Sequence, residues 1–292
     1  MLNKSDYKKI LSSSHKLFNL HLKETLHYKN LIFIFVKRDF TTRYKQTILG
    51  PLWAIINPLM TTLVFTVIFG KLAGLPTLDV DGNQIIPGFL FFMTGSVLWS
   101  YFNTTVMSVS DTFRANVGLL SKVYFPRIIT PIATGISNLI NFSIQLFLFF
   151  LLYVYFIIKG TTSICFSIKF LLFPLSILQM IFFAIGIGII ISSITTKYRD
   201  LNFAAGFILC LWQYATPVVY GLSMVSKKIP DLFVLYLMNP MTQIITTFRY
   251  AVFGFGFFNL NYYLISWAIT IIVFVIGLIM FSRIERSFVD TI

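Results

Sequence analysis

Six stretches of this 292-residue chain, at about 52–70, 86–109, 129–158, 166–194, 202–222 and 259–281, are almost uninterruptedly apolar. A helix needs about 20 such residues, rising 1.5 Å each, to cross the hydrocarbon of a bilayer. All ten Asp and Glu residues fall outside these runs. With 57% hydrophobic and 11% charged residues, against about 25% charged in a soluble domain, one soluble core has no room for so much apolar surface. The expected fold is all-α and integral to the membrane, with six transmembrane helices. The chain reads as a single transmembrane domain over 1–292. Residues 1–50 form a cytoplasmic tail and interfacial helix, 51–281 the membrane region, and 282–292 a second cytoplasmic tail.

The net charge of +13 raises the question of nucleic acid, and its placement answers against it. Ten of the 23 Lys and Arg residues precede residue 46, and the rest fall mostly in the gaps between apolar runs. With the N-terminus inside, the segments 1–51, 110–128, 195–201 and 282–292 hold 17 of the 23; Lys71, Lys159, Lys169, Lys227, Lys228 and Arg249 fall outside. Cationic loops stay cytoplasmic, so both termini are expected there. The first 28 residues are polar, with no apolar region close behind the initial charges, so no cleavable signal peptide is expected.

Two segments differ from plain spans. Over 28–49, Ile32, Val36, Phe40, Tyr44 and Ile48 recur every four residues and share one helical face, with Lys37, Arg38, Arg43 and Lys45 off that row. This pattern predicts an amphipathic helix in the cytoplasmic interface, ended by Gly50-Pro51. Residues 231–257 are apolar but broken at Asn239-Pro240, where proline removes a donor and clashes with a continuing helix. Two half-helices are expected, forming a re-entrant hairpin before the last span; the alternative is a seventh span.

Several chemistries are absent. No ionisable group that would serve a proton- or ion-coupled carrier sits inside an apolar run among the acids. There is no G-x-x-x-x-G-K-[ST] phosphate loop: Gly70-Lys71 lacks the upstream glycine, since position 65 is Phe. No nucleophile elbow or HExxH stands out, which argues against a membrane-embedded transferase. Cys165 and Cys210 form no framework, and His15, His21 and His27, spaced by six, share no helical face; no metal site is expected. The uncharged polar residues in the spans, Asn57, Asn103, Asn138, Asn141, Gln145, Gln179 and Gln213, read as interhelical hydrogen-bonding groups. Aromatic faces pack on the C–H faces of sugar rings, which makes Trp53, Trp99, Trp212, Tyr214 and Tyr220 candidates for lining a sugar path.

Four stretches, RDFTTRYKQTILGPLWAIINPLM (38–60), LLSKVYFPRIITPIAT (119–134), TKYRDLN (196–202) and NPMTQIITTFRY (239–250), resemble the ABC-2 type transporter permeases. The likeness is in particular to the polysaccharide exporters for O-antigen, capsule and teichoic acid. The resemblance implies a permease of the bacterial cytoplasmic (inner) membrane that works as a homodimer with two copies of an ABC ATPase subunit. ATP and Mg would be bound on that partner, with no cofactor in this chain and no nucleic acid. The implied substrate is a lipid-linked polysaccharide, O-antigen first. The alternatives are a teichoic-acid or capsule exporter, or a small-lipid or drug exporter of the same superfamily. The loop at about 111–127 resembles the helix that docks in the ATPase, which assigns Leu119, Leu120, Val123, Tyr124 and Phe125 to the contact and Arg114, Lys122 and Arg127 to its rim. The helix at 31–48 resembles the gate helix, with Arg38, Arg43 and Lys45 near lipid head groups. The resemblance assigns no role to the polar extension at 1–28. Replacing Tyr124 by Ala should weaken retention of the ATPase, measured as loss of co-purification.

Overall fold

In a computed structural model the chain is described over residues 28–74, 86–120, 125–161, 168–195, 198 and 200–287; there it is helical, without strands. Helix α1 is Lys29–Tyr44. A 3-10 turn, Gly50–Leu52, opens α2, Trp53–Phe65, which relaxes into a π-helical turn at Thr66–Leu72. The central helix is α3, Gly88–Ser110, followed by the short α4, Thr112–Ala115, and α5, Val117–Leu120. Then come α6, Ile129–Ile158, and α7, Leu172–Thr195, the latter led in by a 3-10 turn at Ile168–Leu171. Helix α8 is Leu201–Tyr214, α9 Leu222–Lys228, α10 Pro230–Met238, α11 Pro240–Phe253 and α12 Leu260–Ser287.

Four helical stretches among the described residues have the length and apolarity of a span: Gly50–Leu72, Ile129–Ile158, Ile168–Thr195 and Leu260–Arg283. Helix α3 has the length, at 23 residues, but carries Ser, Thr and Asn side chains. It tolerates them because protein surrounds it: α2, α6, α7 and α8 all pack on it, and most of its residues are buried. The expected fifth span, 202–222, stops early. Helix α8 ends at Tyr214, and the chain runs irregularly to Gly221. Pro217 causes this, since the residue before a proline is driven out of the helical region.

The expected break at Asn239-Pro240 is present. The Asn239 side chain accepts from the Met241 N–H at 3.1 Å, capping α11, whose first residue is Pro240. Every residue of α11 except Tyr250 is buried. Non-helical backbone at membrane depth is tolerated only in such protein surroundings.

The most extensive helix contact joins α7 to α12. It is close because Gly186 and Gly277 face it. A Cβ on Gly186 would lie 2.9 Å from the Phe274 Cα, and one on Gly277 would lie 2.8 Å from the Gly186 carbonyl oxygen. In lipid, helices gain little from hiding apolar surface, so small residues that let backbones meet drive association. Gln179 on α7 adds a bond to Ser266 on α12 at 2.6 Å, the interhelical role its position suggests. Aromatic rings pack in the core beside it: Phe102 stacks on Phe183 with ring centroids 5.6 Å apart, and Trp212 meets Phe102 edge to face with centroids 5.5 Å apart.

Replacing Gly186 by Ala should lower the thermal midpoint of the detergent-solubilised protein, because a methyl group would have to displace α12. Overpacking of this kind typically costs about 1–3 kcal/mol.

Candidate functional site

The polar half of the molecule is organised by α1. Of the predicted row, Val36 is buried and Ile32, Phe40 and Tyr44 are half-buried, but Ile48 lies beyond the end of the helix and is fully exposed. The helix stops at Tyr44, followed by Gln46 at φ 65°. The face packs on α6, so α1 is clasped to protein, with Phe33 and Ile34 exposed on its other side.

The basic residues of α1 point to different places. Arg38 pairs with Asp39 at 2.7 Å, donates to Asn116 Oδ1 at 3.0 Å, and lies 4.7 Å from the centroid of the Phe35 ring. Arg43 reaches to α6 and donates to Asn138 Oδ1 at 2.7 Å. Tyr44 donates to Asn141 Oδ1. Burial pushes the Tyr44 phenol above its usual pKa, with Arg43 pulling the other way, so its hydroxyl stays protonated and available as a donor. Lys45 is exposed past the helix end.

These contacts border a cleft of about 350 Å³ between α1, α2, α3 and α6, lined by Arg43, Tyr44, Trp53, Ala54, Asn57, Ser100, Tyr101, Thr104, Asn138, Asn141, Phe142 and Gln145. Four of the seven amides expected to bond helices together therefore face one cleft. Asn138 does serve as a helix–helix link, donating to Thr105 at 3.4 Å. A second opening of about 630 Å³ shares Arg43 and Asn138 and continues toward Asp111, Thr112 and Asn116.

A third cavity, about 710 Å³, is apolar. Trp212, Tyr214, Tyr220, Tyr236, Lys228 and Asn239 are among the residues around it. It brings together three of the five proposed path aromatics, Trp212, Tyr214 and Tyr220. Tyr220 contacts the Tyr236 hydroxyl and donates to the Tyr214 carbonyl at 2.6 Å. Trp53 lines the polar cleft instead, and Trp99 is a core residue, enclosed beside Phe102 and Trp212.

Arg249 is the residue that the sequence reading missed. Counted there among the outer cations, it is only 6% exposed and sits between α3, α11 and the irregular segment after α8. Its Nη1 donates to the Pro217 carbonyl at 2.7 Å, and its Nη2 to the carbonyls of Val218 at 3.0 Å and Phe91 at 3.1 Å. Its Nε donates to Thr94 Oγ1 at 3.0 Å, and the guanidinium lies 3.8 Å from the centroid of the Phe91 ring. An ionisable side chain in an apolar run with no acid nearby in sequence was the available signal.

Of the residues assigned to ATPase contact, Arg114 is exposed and 3.5 Å from Asp111, Leu119 is half-buried, and Arg127 is half-buried. Phe125 is buried, its ring centroid 5.6 Å from that of Phe35. The side chain of Leu120, and residues Lys122, Val123 and Tyr124, lie outside the described residues, as does the extension at 1–27.

A family model for ABC-2 type transporters matches residues 30–253, from α1 through the end of α11. The chain belongs to the ABC-2 type transporter family. Its relatives include the O-antigen export system permease protein RfbA of Myxococcus xanthus, 31% identical over 78% of this chain and 82% of that protein. A protein of the same name from Klebsiella pneumoniae is 28% identical over 93% of this chain and 99% of its own length. Both the polar cleft and the Arg249 site lie inside the matched region of this ABC-2 transporter chain, whereas α12 lies beyond it.

Arg249→Met should destabilise the detergent-solubilised protein by about 3 kcal/mol, because the Pro217 and Val218 carbonyls lose a charged donor. Arg249→Lys should recover only part of this, since an ammonium cannot reproduce the guanidinium fork. Thermal unfolding of both variants beside wild type measures the difference.

Proposed function

We propose that the chain is the permease subunit of an ATP-driven ABC exporter that carries a lipid-linked polysaccharide, O-antigen first, outward across the bacterial cytoplasmic membrane. The observation that carries this reading is the nearly end-to-end similarity to relatives named O-antigen export permeases. The absence of a phosphate loop from the sequence agrees with hydrolysis on a separate subunit, which would hold ATP and Mg. Two permease copies and two ATPase copies make the working assembly. Six spans, counting α3 and α8 with its irregular extension, put both termini in the cytoplasm beside the ATPase.

In this arrangement Arg114, Leu119, Leu120, Lys122, Val123, Tyr124, Phe125 and Arg127 carry the ATPase contact. Arg38, Arg43 and Lys45 lie at the level of the lipid head groups. The apolar cavity around Trp212, Tyr214 and Tyr220 forms part of the polymer's path.

Complementation tests the reading. In a strain lacking its O-antigen exporter, this chain with its ATPase should restore surface polysaccharide, and neither subunit alone should do so. The purified chain by itself should hydrolyse no ATP. Hydrolysis by the lone chain, or surface polysaccharide without an ATPase, would overturn the division of labour. Export of a small lipid and no polysaccharide would favour the small-lipid alternative.

A further inference from the structure

The polar cleft is built in a way that interhelical bonding does not explain. On α6, Asn138, Asn141 and Gln145 are spaced by three and four, so they share one face over two turns, about 10 Å along the axis. Asn57 faces them from α2, and all four amides line the same space. Asn138 has a partner on each side, Arg43 and Thr105. Gln145 differs: it is 8% exposed, and its Oε1 is buried with no hydrogen-bond partner. Leaving a buried carbonyl oxygen unpaired costs about 1–3 kcal/mol, so a water or a ligand hydroxyl drawn from the adjoining cleft is the natural completion.

The lining also limits what that donor can belong to. Arg43 is the single charged side chain among the cleft residues, with no carboxylate, and its guanidinium already holds Asn138 at 2.7 Å. A phosphate site would gather more cations or backbone N–H groups. Amide groups, hydroxyls and an aromatic face suit a neutral polyhydroxylated ring, which offers donors and acceptors at its edge and C–H groups on its face. Trp53 supplies the available aromatic face at 44% exposure, while Tyr101 and Phe142 are buried behind it. The volume of about 350 Å³ is at the small end of the roughly 300–1,000 Å³ typical of small-molecule sites. It suits a single sugar unit, not a length of polymer.

We propose that this cleft is a binding subsite for one uncharged sugar unit of the exported lipid-linked glycan, read by Asn57, Asn141 and Gln145 with Trp53 as its stacking face. The proposal rests on the polysaccharide reading above and adds to it a place where glycan identity is checked at the entrance. Tyr44, held on Asn141, links an occupied cleft to α1. Asn57 is exposed, which makes it the variant least able to disturb the fold.

The test uses the full complex with its ATPase. In the complementation strain, Asn57→Leu and Gln145→Met should each slow appearance of surface polysaccharide roughly three- to tenfold, the effect of losing one hydrogen bond. Permease level in the membrane and ATPase co-purification serve as folding controls and should match wild type. Trp53→Ala should slow export similarly, and Trp53→Phe should restore most of it. In vesicles, ATP hydrolysis by the wild-type complex should respond more strongly to an isoprenyl diphosphate bearing one neutral sugar than to the same lipid without sugar. Asn57→Leu should erase that difference. Unchanged export in both amide variants, or equal loss of response to the two lipids, would overturn the sugar subsite and leave the exporter reading standing. Failure of the wild-type chain to restore polysaccharide would instead remove the exporter reading, and the comparison of the two lipids would still decide whether the cleft senses sugar.

Discussion

Arg249 carries a full charge inside the protein, and its four hydrogen bonds go to three backbone carbonyls and a threonine hydroxyl, none to a carboxylate. Much of the structure follows from that choice of partners. Pro217 breaks the helix after Tyr214 and leaves carbonyls that no helix can use. In a membrane these would be costly, and the guanidinium is the donor that answers them. The same side chain reaches the first turns of α3 through Phe91 and Thr94, so the broken segment, the central helix and α11 are tied at one point. Gly95 completes the junction. A Cβ there would lie 2.3 Å from the Val218 carbonyl oxygen, so only glycine lets α3 approach the segment that Arg249 holds. The walls of the apolar cavity, from Trp212 through Tyr220 to Asn239, hang from this junction. Asn239 adds a second tie by donating to Thr216 at 3.3 Å.

The opposite half of α3 is held by a different logic. There α1 lies against α6, and its polar side chains turn toward protein: Arg43 to Asn138, Tyr44 to Asn141, Arg38 to Asn116. The first two bonds border the amide cleft. Helix α1 is thus coupled through short side-chain contacts to the lining of an internal space. Below it, Phe125 packs on Phe35 and Phe113 stacks on Phe281 at 4.8 Å. These four rings belong to one packed cluster, while Tyr101 and Phe142 of the amide cleft belong to the neighbouring one.

Helix positions were readable in advance wherever apolar length alone decides them. The expected 129–158 is Ile129–Ile158, and 86–109 is Gly88–Ser110. The Asn239-Pro240 break was equally plain, since a proline in an apolar run acts on its own neighbours. Burial of single side chains, in contrast, depends on distant chain. The packing of α7 and α8 encloses Trp99, and Phe125 is buried against Phe35, ninety residues earlier. Ile48 fitted a four-residue period but lies past a helix end set by the backbone at Gln46.

By itself the sequence determined that this chain is a membrane protein of helices, where most of them lie, and that it lacks a phosphate loop of its own. Those properties follow from local quantities: run length, charge position, proline placement and the presence or absence of a short motif. Tertiary structure alone decided which polar groups meet. Arg249 and Pro217 are 32 residues apart, and Arg43 and Asn138 are 95. Whether a buried amide finds a partner on another helix depends on the neighbours that other helices bring, and no local pattern encodes that. Asn138 and Gln145 lie on one helical face with the same chemistry. Folding gave one of them two partners and left the oxygen of the other unpaired.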